Sequence, residues 1–425
     1  MKKILYIFVL VLLFSCAKHQ EQEELPVLLP EEEVDIIKGA WPITLTLESR
    51  YISNKINCFS FDFFKTVSQQ SDNNIFLSPF SMATALGMVY NGAVGETKDE
   101  IAKTLRIEDN NPDEVNQFFS ELYNAIEDVD PGTSLSFANA MWANKGIGFK
   151  NSFVELNQNI YKAEMNTLDF SLPSTLKTMN DWCYKKTDGT IPEILDVLDP
   201  LTPGILANAV YFNSFWTEQF DKTKTKEIPF FNRDGTVSLV QMMQQGPLTI
   251  KSALYYSLWT TCSMVVIPYS NTAFRMTLIL PNEGEDIDDF LEDFNEREWR
   301  SLRTNLSSNV KITLLMPRFT IESKLENLRE SLVAMGMTTF FSDNADFSDM
   351  LDVNDFNIDV LQKSYISVNE EGTQASSVSV VELVGGGEPL PPPEEVTMVV
   401  DRPFLFLISV FGDDTIFFMG KVVKL

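Results

Sequence analysis

Glu370-Glu371-Gly372-Thr373-Gln374-Ala375-Ser376-Ser377-Val378-Ser379-Val380-Val381-Glu382-Leu383-Val384-Gly385-Gly386-Gly387 is the stretch on which the reading of this chain turns. Its first half is small and β-prone. Extended, it would put Thr373, Ala375, Ser377, Ser379, Val381 and Leu383 on one face, and Gln374, Ser376, Val378, Val380 and Glu382 on the other. The first face is uncharged and small enough to enter a packed core. A linker has no need to keep charge off one face. Gly385, Gly386 and Gly387 then leave the backbone unconstrained. Pro389 and Pro391 to Pro393 favour an extended, unpaired form. The stretch ends against Phe404 to Phe418, one of the most apolar parts of the chain, so it tethers no separate domain. A potential strand therefore leads into an exposed tip, and so long a structureless span in a compact chain is usually functional or disordered.

The rest of the composition narrows what such a segment could serve. The only histidine is His19, near the N-terminus. A Ser-His-Asp or Cys-His hydrolase needs a histidine in its folded body, and common zinc sites draw on His or several Cys. Setting Cys16 aside leaves Cys58, Cys183 and Cys262, an odd number with no disulfide framework, in apolar stretches that suit buried core positions. A net charge of -27 argues against nucleic-acid binding. No Gly-rich phosphate loop of the usual spacing is present. Asp343 to Asp349 looks briefly like a calcium loop, but lacks the central Gly and the distant Glu, and reads as a solvated turn. A glycosidase-type carboxylate pair is compatible with 60 acidic residues, yet nothing localises one. No metal and no cofactor is expected.

The N-terminus is not fold. Lys2 and Lys3 precede the apolar run Ile4 to Phe14, which is too short to span a bilayer stably and matches a signal-peptide core. Leu12-Leu13-Phe14-Ser15-Cys16 resembles a bacterial lipobox, in which Cys16 becomes the lipidated first residue. An ordinary secretory signal with an incidental Cys is the alternative. Residues 16–45 are largely polar and acidic, with Pro26 and Pro30, and read as a solvated tether. The expected organisation is a signal peptide over 1–15, a lipid-anchored tether over 16–45, and one large domain over 46–425, since no Pro/Gly/Ser-rich break or repeat falls between residues 60 and 370. The expected location is the outer membrane or the cell surface.

Apolar spacing places a helix over Leu47 to Ser68, a short strand over Asn74 to Ser78, and helices over Ser81 to Val89 and Thr97 to Leu105. Leu135 to Trp142 reads as strand, Val154 to Ala163 and Thr178 to Thr187 as helices. Leu206 to Trp216 is apolar on both faces, as a covered central strand should be. Further strands are expected within Val265 to Pro281, over Val310 to Pro317, over Phe404 to Val410 and over Ile416 to Met419. A helix is expected over Leu325 to Met335.

Five separated blocks, in order, resemble the serpins, the suicide protease inhibitors. Asn74-Ile75-Phe76-Leu77-Ser78-Pro79-Phe80-Ser81 is similar to the segment under the middle of the family's main sheet. Met179 to Gly189 resembles the helix lying across that sheet, and Leu206 to Trp216 one of its central strands. Glu370 to Ala375 resembles the hinge of the reactive-centre loop, and Asp401 to Phe406 the C-terminal block. The resemblance implies an α+β fold of large mixed and antiparallel sheets, about eight to nine helices and an exposed reactive-centre loop. It implies hinge residues Glu370, Glu371, Gly372, Thr373, Gln374, Ala375, Ser376 and Ser377. It makes Ser78, Ser81 and Asn208 part of the family's shutter, and Trp216 the tryptophan where the loop first enters. Ser78 and Ser81 also fit a plain capped helix start.

The implied action is inhibition of a serine or cysteine protease that cuts the loop, forms an acyl-enzyme and is trapped as the loop inserts as an extra strand. The chain is then no enzyme, and a monomer is expected. Counting by family habit, the nominal bond lies 14 residues beyond Gly372, after Gly386. The loop is several residues longer than is common, which widens the scissile region to Leu383, Val384, Gly385, Gly386 and Gly387. No Lys or Arg lies between Lys363 and Arg402, and the prolines resist cleavage, which points to elastase-, subtilisin- or papain-like targets. Gln362 stands where the family often carries a histidine, so a bond to Asn208 is feasible without a pH response. The alternative is a non-inhibitory surface binding or scaffold lipoprotein. The small hinge residues Gly372, Thr373 and Ala375 favour inhibition.

Overall fold

The computed structural model of the chain describes residues 43–248, 255–258, 261–306, 310–325, 328–352, 356–373 and 394–425. In chain order the elements are α1 (Leu47–Ser68), β1 (Ile75–Leu77), α2 (Pro79–Tyr90), α3 (Gly95–Thr104), α4 (Pro112–Ile126), β2 (Thr133–Asn144), α5 (Asn151–Tyr161), β3 (Glu164–Leu168), α6 (Pro173–Lys186), β4 (Gly204–Phe215), β5 (Lys226–Phe231), β6 (Val237–Leu248), β7 (Tyr255–Leu258), β8 (Cys262–Pro268) and β9 (Phe274–Pro281). After these come α7 (Ile287–Asp293), α8 (Glu296–Thr304), β10 (Val310–Pro317), β11 (Phe319–Leu325), α9 (Leu328–Ala334), β12 (Ile358–Val368), β13 (Gly372–Thr373), β14 (Glu394–Val399), β15 (Phe404–Val410) and β16 (Ile416–Val422). The class is α+β, as expected.

Among the described residues, three sheets carry the architecture. The main sheet has the order β11-β12-β13-β4-β2-β3. A second six-stranded sheet runs β1-β16-β15-β9-β8-β7, and a four-stranded sheet runs β14-β10-β6-β5. The core lies between the inner face of the main sheet and the second sheet. Phe137 and Phe212 of the first meet Phe417 and Phe418 of the second at centroid distances of 5.2 and 5.8 Å. Phe80 of α2 fills the gap between them, 5.1 Å from both Phe137 and Phe417. Such edge-on and tilted pairs add to the area these rings bury. On the outer face of the main sheet, α6 seats Met179, Trp182 and Cys183 on Ala138, Ala140, Ala207 and Ala209.

Several local readings need correction. Leu325 ends a strand, not a helix: β11 alternates buried Phe319, Ile321 and Ser323 with exposed partners, and the helix begins only at Leu328. Cys58 is half-buried, whereas Cys183 and Cys262 are buried, and all three are free. α4 escaped the apolar-spacing reading although its start is written plainly. Asn111 caps the Glu114 amide, Glu114 caps back, and Pro112 takes the first turn. The end of the long segment is also regular: Glu394 to Val399 form β14, parallel to β10.

Candidate functional site

The main sheet contains a fork. Over Ile358 to Lys363, β12 pairs directly and in parallel with Gly204 to Ala209 of β4. Beyond Lys363 the two strands part, and β13 lies between their ends. Thr373 pairs with Val368 on one side and Ser214 on the other, and Gly372 pairs with Phe215. Residue numbers across the seam differ by 154 in both places, 363 minus 209 below the fork and 368 minus 214 above it. The short strand therefore separates its neighbours without sliding one along the other.

A tight reversal makes this possible. Asn369 accepts at Oδ1 from the amides of Glu371 (2.8 Å) and Gly372 (3.2 Å), the turn chemistry expected of asparagine. Its own amide donates to the Gly372 carbonyl at 2.9 Å. Gly372 is required by contact: a Cβ there would lie 2.2 Å from the Ser214 carbonyl oxygen and 2.5 Å from Phe215 Cα. Thr373 is buried, and its hydroxyl lies 2.6 Å from the Tyr269 hydroxyl. Burial pushes the Tyr269 phenol up, against the hydrogen bond from Thr373. The face that the sequence assigns to the core is thus the face Thr373 presents.

Charge and aromatic contacts pin the reversal. Trp216 donates its amide to the Glu371 carbonyl (2.8 Å) and its indole Nε1–H to the Asn369 carbonyl (2.9 Å), and its ring stacks on Tyr269 at 4.4 Å. Glu370 is buried. Its carboxylate accepts from Arg318 Nε (2.8 Å), Arg318 Nη2 (2.6 Å) and Thr225 Oγ1 (2.5 Å). Glu371 pairs with Lys222. Beneath them Asp130 accepts from Thr133 Oγ1 (2.6 Å) and Ser270 Oγ (2.8 Å), and Thr133 meets Ser214 at 2.6 Å.

At the closed end of the fork, Gln362 donates Nε2–H to the Ser78 carbonyl (3.0 Å) and to Asn208 Oδ1 (3.3 Å), and accepts from the Ser78 amide (3.1 Å). Asn208 donates to Asn139 Oδ1 at 2.7 Å. Ser78 caps α2 through the Ser81 amide and donates to the Phe417 carbonyl at 2.7 Å. The buried Ser81 hydroxyl has no partner among the described residues. A neutral amide makes these bonds, so they carry no titration in the physiological range.

Glu370 does titrate. Burial raises its pKa, but Arg318 and Thr225 outweigh that and hold it below the ordinary glutamate value. A depressed folded-state pKa gives stability that is present above the ordinary value of 4.5 and is lost as pH falls through the folded value. Glu370→Gln is expected to cost about 2 kcal/mol at neutral pH, the scale of hydrogen bonds to a buried charge. Its melting temperature should fall less steeply than that of the wild type as pH drops below about 5. Parallel acid-unfolding curves for the two proteins would show that this carboxylate is not a source of stability.

A family model described as Serpin (serine protease inhibitor) matches residues 54–425. The chain is a serpin. It is 32% identical over 372 residues to Serpin B6 of Macaca fascicularis, covering 85% of this chain and 96% of that one. It is 32% identical over 377 residues to the leukocyte elastase inhibitor of Bos taurus, covering 86% and 97%. Among solved structures, the native state of the thermophilic serpin tengpin matches with a TM-score of 0.79 at 28% identity, over 92% of this chain and 98% of that one. Human thyroxine-binding globulin, solved complexed with thyroxine, matches at 0.78 and 26%, over 89% and 99%.

In this serpin Glu370, Glu371, Gly372, Thr373 and Trp216 meet at the open end of the fork, and Ser78, Ser81, Asn208 and Gln362 gather at its closed end. Gln374 to Ser377, Leu383 to Gly387 and Cys16 lie outside the described residues. Sequence reasoning missed Arg318, Tyr269, Asn369 and Asp130. Asn369 had a signal, an Asn three residues before a Gly at a strand end. The others are brought in by distant segments and carry none.

Proposed function

We propose that this serpin is a suicide inhibitor of a serine or cysteine protease. The observation that carries the reading is the fork: Gly372 and Thr373 already sit between β12 and β4, in the register held by the closed seam below. Continuing that register puts Ala375 between Ile366 and Phe212, Ser377 between Ser364 and Val210, and Ser379 between Gln362 and Asn208. Val381 then falls between Val360 and Leu206, and Leu383 between Ile358 and Gly204. These β12 and β4 positions face the core, and the loop residues meeting them are the small, uncharged ones.

The chemistry belongs to the target. Its serine or cysteine attacks a loop carbonyl, the peptide bond breaks, and the amine leaves as a new N-terminus. The acyl-enzyme remains on the upstream half. Insertion of about eleven residues at ~3.3 Å each carries it roughly 36 Å, faster than water completes deacylation. The inhibitor supplies stored free energy, not a catalytic group. With no Lys or Arg between Lys363 and Arg402, the target is elastase-, subtilisin- or papain-like, and the bond lies between Leu383 and Gly387. The similarity to a leukocyte elastase inhibitor supports the first of these.

Incubation with elastase, subtilisin and papain is the test. The expected result is an SDS-stable complex with at least one of them, releasing a peptide that begins between Val384 and Gly387. Cleavage by all three with no complex would favour the binding or scaffold alternative. Export and anchoring through a lipidated Cys16 form the second half of the proposal, supported by the lipobox-like Leu13-Phe14-Ser15-Cys16. Cys16→Ala is expected to move the protein from the membrane fraction to the soluble one, and an unchanged distribution would refute the anchor.

A further inference from the structure

The seam that must open is fastened on its outer face as well as its inner one. Lys363 and Ala209 form the last direct pair before the fork. On the inner face the adjacent pair is Gln362 and Asn208. On the outer face the Lys363 side chain is only 9% exposed, a costly place for an ammonium without a partner. Its Nζ lies 3.7 Å from Asp196 Oδ1, and Lys324 of β11 pairs with the other oxygen of the same carboxylate.

Asp196 belongs to the opposite half of the sheet. It lies in the segment after α6, and Asn180 of α6 holds that segment by accepting from the amides of Ile194 (2.9 Å) and Leu195 (3.1 Å) and donating to the Leu195 carbonyl (2.9 Å). The apolar seat of α6 is built on β2 and β4, from Ala138, Ala140, Trp142, Ile205, Ala207 and Ala209. From the β11–β12 half, only the half-buried Leu361 and Tyr365 join it. One carboxylate, fixed to one half, thus grips two lysines of the other at the crotch of the fork.

We propose that Asp196, with Lys324 and Lys363, is a charge latch that holds the seam closed and sets how readily the fork advances. Each step of insertion separates Lys363 from Ala209 and carries β11–β12 away from the α6 layer, so the latch must break or stretch. Asp196 is half exposed, so salt screens the pairing. The latch makes Asp196 a positioning residue for strand insertion, and its consequence for inhibition rests on the function proposed above. The seam itself can be measured without any protease.

Hydrogen exchange of the intact protein over residues 205–213 and 358–367 is the experiment. Asp196→Asn is expected to speed exchange there roughly fivefold, the scale of a partly exposed ion pair. Wild-type exchange should quicken between about 0.05 and about 0.5 M NaCl, whereas the variant should not respond to salt. Asp196→Glu, which keeps the charge, should restore slow exchange. A wild-type seam indifferent to salt overturns the latch even if Asp196→Asn fails to fold, and so does equal exchange in wild type and Asp196→Asn. A protein that forms covalent complexes with such an indifferent seam loses the latch and keeps the inhibitor reading. A salt-sensitive seam in a protein that forms no complex does the reverse.

Discussion

Cutting the chain between Leu383 and Gly387 is expected to raise its melting temperature by roughly 20 °C. Cleavage usually destabilises a fold, because it frees chain entropy. Here the upstream half is already seated at Thr373, and the seam below offers ladder positions down to Ile358 and Gly204. About eleven residues would exchange water for sheet hydrogen bonds at about 0.5–1.5 kcal/mol each. Val381 and Leu383 would bury side chains worth about 1.5–3 kcal/mol each. Against this stand the direct β12–β4 bonds that must be replaced and the ordering of the loop. The net is on the order of 10 kcal/mol, and about 2 °C per kcal/mol is the scale for a chain of this size. Calorimetry of intact and nicked protein is the check, and an unchanged or lower melting temperature would mean that the loop does not insert.

Thr373→Arg is expected to turn the inhibitor into a substrate. Thr373 is buried against Tyr269, level with Val368 and Ser214. A guanidinium there would be forced into the packed core beside Tyr269, and burying a charge without a well-placed partner costs several kcal/mol. The hinge would leave the sheet, and insertion would slow by more than about tenfold, since each 1.36 kcal/mol of barrier is worth that much. Deacylation would then win. The variant should be cleaved by its target at an undiminished rate while the yield of SDS-stable complex collapses. Full complex formation by Thr373→Arg would show that this residue is not where insertion begins.

What the sequence made legible was periodic or local. The two-residue alternation after Gly372 marks a face able to enter a core, and Thr373 is the residue of that face whose position is described. The helix over Leu47 to Ser68 was readable because its buried residues recur at helical spacing. Long-range pairing was not readable. No local pattern tells that Arg318, at a strand boundary, reaches Glu370, or that Tyr269 lies between Trp216 and Thr373. The offset of 154 that keeps the seam in register is likewise a property of two distant strands, not of either alone. Helix α4 fell between the two cases, since its cap was legible and only the apolar criterion passed over it.

The crystal structure of the chain cleaved between Leu383 and Gly387 tests the insertion account most directly. The expected result is a new strand running antiparallel from Thr373 between β12 and β4, with Ser379 level with Gln362 and Asn208. Thr373 should keep its contact with Tyr269. A cleaved structure in which Ile358 to Lys363 still pair directly with Gly204 to Ala209 would contradict it.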